Sequence, residues 1–475
     1  MTAKPYDSSV YKKRSALCSL RYAFLIVLAW AFLFLTTISG CGVPHHLTAA
    51  VDGMSARGEY SQALSYVEEH QEDYQNRNRL LFHLDEGMLA FSVGDYEKAV
   101  QAFTAAEQLM DELYTISVSR EATTFLINDN AAPYRGEDFE SVMINLFLAL
   151  SYANLSKIED ALVEARKIDS KLAAINLQYD EENQNAYRED PFARMLIGIF
   201  YEMGQTSADL NDAYISYSLA INGYDKEYRR FGLNVPTILA ENGLSAAGFM
   251  GKKEQDQLQQ RLPLPQFPSL AERKEKAEVY VLHLNGRAPV KEPATIVFPM
   301  PDGFLVKLAF PTYMDIQKRI IGGRLYAKPL EGDRDFHATF TVAEPIDKIA
   351  EENLEDRKGR IIVKTIGRVT AKYLAVKEAQ RAARKAGGQN YGALAGFLTG
   401  ITGNILAFAS EQPDLRSWRT LPAEILISKL TLEPGTYQLW ANCVDGSGRV
   451  VRKVELGQRS LDRGEKIFLQ FRTTE

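Results

Sequence analysis

The spacing of apolar side chains changes twice along the 475-residue chain, and each change predicts a different kind of element. An uninterrupted apolar run, Tyr22–Leu35, follows a segment where Lys4, Lys12, Lys13, Arg14 and Arg21 outnumber the single acid Asp7. Between about residues 51 and 261, apolar and small residues return every three or four positions, the period of helices with one buried face. Leu262-Pro263-Leu264-Pro265-Gln266-Phe267-Pro268 then breaks helix three times within a few residues. Beyond it apolar positions form short strand-like runs: Val279–Leu284, Thr295–Phe298, Phe304–Leu308, Ala338–Val342, Ile425–Ile427, Tyr437–Trp440 and Ile467–Phe471. Punctuated by turns such as Glu433-Pro434-Gly435, these predict an antiparallel β-sandwich. The expected fold class is α+β. Its segments are a leader (1–40), an anchor linker (41–50), a helical domain (51–261), a proline-rich linker (262–275) and a strand-rich domain (276–475) with a helical insertion at about 366–410.

Within the helical segment a set of offsets repeats. It is clearest in Gly87-x6-Gly94-x-Tyr96-x2-Ala99-x3-Phe103-x2-Ala106, and returns in Gly58-x-Tyr60-x2-Ala63-x3-Val67. A third copy places Ala149, Tyr152, Ile158, Ala161 and Ala165. A fourth places Gly198, Tyr201, Ala213, Tyr217 and Ala220 around a lengthened turn at 205–211. The pattern resembles the tetratricopeptide repeat, in which stacked helical hairpins bury each other's apolar faces. The resemblance implies that Gly87 lets its helix approach the next one and that Tyr96 and Phe103 fill the space between hairpins. An insertion from about Tyr114 to Glu140, containing Asn128-Asp129-Asn130-Ala131-Ala132-Pro133-Tyr134, reads either as a binding loop or as a mobile one.

Three further blocks, Tyr134–Glu140 with Glu164-Ala165-Arg166, Asn285–Lys291 and Asp414–Pro422, resemble uncharacterised tetratricopeptide-repeat-containing bacterial envelope lipoproteins. That resemblance implies an architecture and a location, and supplies no catalytic residue. Tyr134, Arg135, Arg416, Trp418 and Arg419 are its candidates for partner binding, because arginine and large aromatics anchor interfaces. A structural alternative has Trp418 capping the sandwich core and Arg416 paired to an acid.

The leader ends in Ile38-Ser39-Gly40-Cys41, an aliphatic residue and two small residues before a cysteine, as in a lipobox. Cys41 is the expected lipidation site, carrying fatty-acyl chains such as palmitate. A spanning anchor is the competing reading, since Tyr22–Ile38 nears the lower length limit for crossing a bilayer. Gly42, in place of Asp, implies the outer membrane, with the protein on its periplasmic face. Removing residues 1–40, with five basic residues and one acid, turns the formal charge of -6 into -10. That balance argues against nucleic acid as a partner. Cys443 is then the one cysteine besides Cys41, so no disulfide joins parts of the expected mature chain.

Ten basic residues between Arg357 and Lys385 accompany one acid, Glu378, and no charge occurs from Ala386 to Ser410. If that uncharged stretch is helical, Gly392, Gly396 and Gly400 lie on one stripe, which predicts close packing against a membrane, a second copy or the protein's own sheet.

The six histidines show no zinc spacing, and phosphate-loop and dinucleotide glycine motifs are absent from the sequence. Gly243-Leu244-Ser245-Ala246-Ala247 falls one residue short of a nucleophile elbow. No cofactor, metal or catalytic residue is expected. The leading expectation is a non-enzymatic, lipid-anchored scaffold whose helical groove binds a protein partner in envelope assembly or export. A membrane-interacting or pore-forming component acting through 366–410 is the alternative, and a cell-wall enzyme or its regulator the second alternative.

Overall fold

The structure, a computed structural model, describes residues 43–475 apart from 125–129, 131, 178–186, 205, 263, 315 and 333. The leader, Cys41 and Gly42 therefore lie outside the described residues, as do parts of the 114–140 insertion.

Among the described residues five helix pairs follow one another: α1 (His45–Ala56) with α2 (Tyr60–Glu69), α3 (Arg79–Val93) with α4 (Tyr96–Thr124), α5 (Asp138–Asn154) with α6 (Ile158–Asn176), α7 (Pro191–Gly204) with α8 (Ser207–Lys226), and α9 (Thr237–Met250) with α10 (Lys252–Arg261). Two of the glycines at the repeated offsets, Gly87 and Gly198, lie against an aromatic ring of the next helix, whereas Gly94 closes a turn with positive φ and no close neighbour. A Cβ on Gly87 would lie 2.6 Å from the Phe103 ring, and one on Gly198 would lie 2.4 Å from the Tyr217 ring. The expected lengthened turn at 205–211 is absent from the described part of that range, because α8 already begins at Ser207. The Thr206 hydroxyl caps its Asp209 amide at 3.1 Å, and Asp209 returns the contact to Thr206.

A five-residue helix, α11 (Leu270–Lys274), leads into the strands. Strands β1 (Ala277–Asn285), β6 (Thr341–Glu344), β7 (Glu424–Leu432) and β10 (Lys466–Thr473) form one sheet in the order β10-β1-β7-β6. Strands β4 (Gly322–Pro329), β5 (Phe336–Thr339), β8 (Gly435–Val444) and β9 (Val450–Leu461) form a second, ordered β5-β4-β8-β9. A separate ribbon pairs β2 (Val290–Pro299) with β3 (Leu305–Met314). Two sheets do pack face to face, through Val279, Val281, Leu430, Leu325 and Leu439. The expectation of a purely antiparallel sandwich needs correction, since β1 and β10 run parallel. The expected strand at 338–342 is two strands, which pass from one sheet to the other at Phe340.

The first sheet is the middle layer of three. Every residue of β1 is buried, because alternate side chains meet different partners: Val279 and Val281 face the second sheet, whereas Tyr280, Leu282 and Leu284 join the helical core. Phe200 on α7 meets Phe468 on β10 edge-on at 5.4 Å, and the Gln470 amide donates to the Phe91 carbonyl at 2.8 Å. Tyr228 donates to the buried Glu344 carboxyl at 2.9 Å, and Tyr224 to the Ala343 carbonyl at 2.8 Å. One apolar core thus runs from the helices into the strands, so the proline-rich segment does not separate two independent bodies. The helical inner face, expected to hold a partner, is packed against the chain's own strands.

The helical insertion is longer than the expected 366–410. It is a hairpin of α12 (Ile346–Ala386) and α13 (Gly388–Ser410), whose first turns are buried through Ile346, Ile349 and Ala350.

Candidate functional site

Helix α5 opens with a carboxylate pair that organises its surroundings. Glu137 precedes the helix and Glu140 lies one turn in, a capping-box arrangement in which the Glu137 amide donates to Glu140 Oε2 at 3.0 Å. The turn before it needs glycine at 136, where φ is +79° and a Cβ would lie 2.2 Å from Met110. Glu140 is fully buried and accepts from the Tyr134 hydroxyl at 2.6 Å and from the Trp418 amide at 2.8 Å. Burial pushes its carboxyl up to about 7, against the lowering effects of Lys291 and these donors.

Lys291 and Arg357 both pair with Glu137, and Lys291 also donates to the Arg416 carbonyl at 3.0 Å. Burial lowers the Lys291 ammonium below its usual range, with Asp414 and Glu140 opposing. Arg416 grips Asp414 through Nε at 2.8 Å and Nη2 at 2.6 Å, and donates from Nη1 to Asn78 at 3.1 Å. Its guanidinium lies 5.4 Å from the Tyr134 ring centre. The Ala288 amide donates to the Leu421 carbonyl at 2.9 Å. The three blocks singled out in the sequence, centred near residues 137, 288 and 418, therefore meet in one buried polar knot.

Beside this knot is a cavity of about 520 Å³ between α4, α5, α6 and α12. Tyr134, Arg135 and Arg416 line it, together with Lys171, Arg357 and Lys364. Acids stand among these cations: Asp111, Glu137, Asp138 and Asp414 share the wall. The other two candidates lie elsewhere. Trp418 is 1% exposed and sits against Phe103 and Phe147 of the helical layer, at 5.7 and 6.2 Å, so it does not cap the sandwich core. Arg419 is half-buried and pairs with Asp52.

Gly392, Gly396 and Gly400 face inward within the hairpin, so neither a membrane nor a second copy meets them directly. A Cβ at these positions would lie 2.3 Å from the Arg384 carbonyl oxygen, 2.2 Å from the Arg384 side chain and 2.7 Å from Gln380. The expected close packing is there, supplied by α12. The run of ten basic residues is partly neutralised: Arg368 and Lys372 share the buried Glu411 at 3.0 and 2.6 Å.

Glu137, Glu140 and Lys291 lie in the blocks picked out by resemblance and Arg357 opens the basic run, yet none of the four was among the candidate site residues. A faint signal was present, since Glu140 lies in a helix otherwise rich in apolar residues, Phe139–Leu150. Among the described residues, no group of three or more His, Cys, Asp or Glu side chains is gathered to hold a metal ion.

The state of Glu140 should be visible in stability. Its folded value near 7 exceeds an unfolded value near ~4.3, so the native state holds a proton that the unfolded state has lost. This contribution is present in full below pH ~4.3 and disappears as pH rises through ~7, on the order of 3 kcal/mol in all. Glu140→Gln carries a fixed cost from one lost acceptor. Measured by urea unfolding from pH 5 to 8, its deficit relative to the parent should shrink as pH rises. A deficit independent of pH would show that Glu140 does not titrate there.

No family model matches the chain, and no curated protein matches it. Among solved structures, the crystal structure of BtubC (BKLC) from P. vanneervenii aligns with 53% of this chain and 87% of its own, at 14% identity and a TM-score of 0.30, a likeness that carries no argument about fold or activity.

Proposed function

We infer that the protein is a non-enzymatic, lipid-anchored scaffold on the periplasmic face of the outer membrane. Its tetratricopeptide-like hairpins hold a segment of a partner protein during envelope assembly or export. The lipobox ending at Cys41, the repeated glycine, aromatic and alanine offsets, and the resemblance to envelope lipoproteins support this reading. The observation that carries it is the cavity of about 520 Å³ beside the polar knot, with Tyr134, Arg135 and Arg416 in its wall. The volume lies within the range of ligand pockets and accommodates a few side chains of an extended segment. Its walls of both signs favour a polar segment of mixed charge. Coverage of the inner helical face by the chain's own strands favours the cavity over that face for the partner segment.

A photo-crosslinking residue introduced in living cells at Arg135 or Ser141, both in the cavity wall, tests the reading. The expected outcome is one discrete protein adduct that is absent when the same residue replaces the exposed Val163 on α6. Identical adducts from all three positions, or none from the cavity, would overturn it. Metabolic incorporation of labelled palmitate, lost in Cys41→Ser, checks the anchor separately.

A further inference from the structure

The hairpin of α12 and α13 is fastened at its base and leaves one face unpartnered. At the base, Arg368 donates to the buried Glu411 carboxylate at 3.0 and 3.2 Å, and Lys372 reaches it at 2.6 Å. Phe304 and Val306 of the β-ribbon pack there on Val369, with Tyr373, Val376 and Ala407 around them. The glycines of α13 are spent on contact with α12, which turns the large apolar side chains of α13 the other way. Leu394, Phe397, Ile401 and Ile405 recur every three or four residues, so they form one stripe. Each is exposed by 44% or more of its surface.

Three observations say what covers this stripe. First, Tyr391–Ser410 is 20 residues of mean hydropathy 1.5 and only 11% buried, and no charge interrupts it. Second, the adjoining end of α12 carries Lys377, Arg381, Arg384 and Lys385 against Glu378 alone. Third, the neighbouring ribbon adds further exposed apolar side chains, Ile296, Val297, Phe298 and Leu305, and its turn is tied to α12 by Asp302, which accepts from Tyr373 at 2.9 Å and pairs with Lys377. An apolar stripe beside a cationic edge complements an anionic lipid surface, where both components are satisfied at once. A second copy of the chain would satisfy the stripe while bringing like charges together. The same charges on α12 oppose full insertion of the hairpin across a bilayer.

We propose that the α12–α13 hairpin lies in the plane of an anionic membrane, with Leu394, Phe397, Ile401 and Ile405 in the acyl boundary and Arg381, Arg384 and Lys385 among the headgroups. The contact is independent of the cavity and of its partner. It gives the protein a second membrane attachment, one whose strength depends on lipid charge and salt.

Hydrogen exchange of the full chain, reconstituted in vesicles of phosphatidylcholine alone or mixed with phosphatidylglycerol, tests this directly. Peptides from 391–405 should exchange slower by about fivefold or more in the anionic vesicles, a local protection that reports covered surface. The protection should disappear in the variant Phe397→Asn/Ile401→Asn. It should also disappear in Arg381→Glu/Arg384→Glu/Lys385→Glu, while peptides from β7 remain as protected as in the parent and certify the fold. Equal exchange in both vesicle types would overturn the proposal. So would protection in neutral vesicles that rises with the surface density of protein, which would identify a second copy as the occupant.

Discussion

Arg273→Ala is expected to destabilise the protein by about 3–5 kcal/mol, because it removes the cation that makes two bonds to each of two buried carboxylates and leaves them only the lysines beside them. Arg273 is 2% exposed and stands between the helical layer and the first sheet. It donates to Glu202 on α7 at 2.9 and 2.7 Å and to Glu278 on β1 at 2.7 and 2.9 Å. Lys466 reaches Glu202 at 3.1 Å and also pairs with Glu278, and Lys429 lies 3.7 Å from Glu278. Burial alone would raise both carboxyls. The charge of Arg273, with help from Lys466 and, at Glu278, Lys429, more than offsets it, and Glu278 is held well below the usual carboxylate range.

The sign of the pH dependence follows. With Glu202 and Glu278 lowered, their contribution is present above pH ~4.3 and is lost as pH falls. In Arg273→Ala the same carboxyls lose their largest favourable charge, and burial lifts them. The variant's deficit should therefore be largest near neutral pH and smaller near pH 5, where protonation relieves the stranded charges. Urea unfolding at both pH values measures this. A deficit below ~1 kcal/mol at neutral pH, the scale of an exposed pair, would mean that water reaches the cluster.

Trp418→Ala should cost a similar amount, about 3–5 kcal/mol, for a different reason: it opens a cavity in the core of the helical layer. The indole is edge-on to Phe103 and Phe147, and its Nε1 donates to the Thr420 hydroxyl at 2.9 Å. Thr420 in turn donates to Asp85 at 2.8 Å, and burial pushes that carboxyl up to about 6. The backbone bond from residue 418 to Glu140 survives the substitution, so the loss reports packing. Trp418→Phe should recover more than half of it, measured as the midpoint shift in the same unfolding titration. No recovery would place the energetic weight on the Nε1 bond instead.

The two positions differ in how much the sequence disclosed. Trp418 stood in a block picked out by resemblance, with Arg416 and Arg419, yet the block carried no sign that the indole turns toward the helices. Arg273, Glu202 and Glu278 raised no signal as a group. Each looks like an ordinary surface charge, because their meeting depends on elements 71 and 5 residues apart being brought together. The glycines of α13 show the intermediate case. Their four-residue spacing disclosed a stripe needing close approach, while the identity of the approaching surface, α12, depended on where that helix turns back. The hairpin's true start at Ile346 was missed for a related reason: its first turns are apolar on the face that meets the core and mixed in charge elsewhere, and the dense basic run begins only at Arg357.

Local periodicity by itself marked the helices between residues 51 and 261, four of whose five pairs it set out as repeats, and the change to strands after the proline-rich segment. Those features arise from neighbours within a few positions, where side-chain size and backbone period act directly. Tertiary structure alone decided that a sheet covers the inner face of the helices. It also decided that Tyr134, Lys291 and Trp418 share one buried carboxylate neighbourhood, and that the uncharged helix shows its apolar side outward. The bonds from Trp418 to Glu140 and from Lys291 to Arg416 join residues more than a hundred positions apart, so each depends on shape and charge presented by a distant segment and leaves no period in the chain.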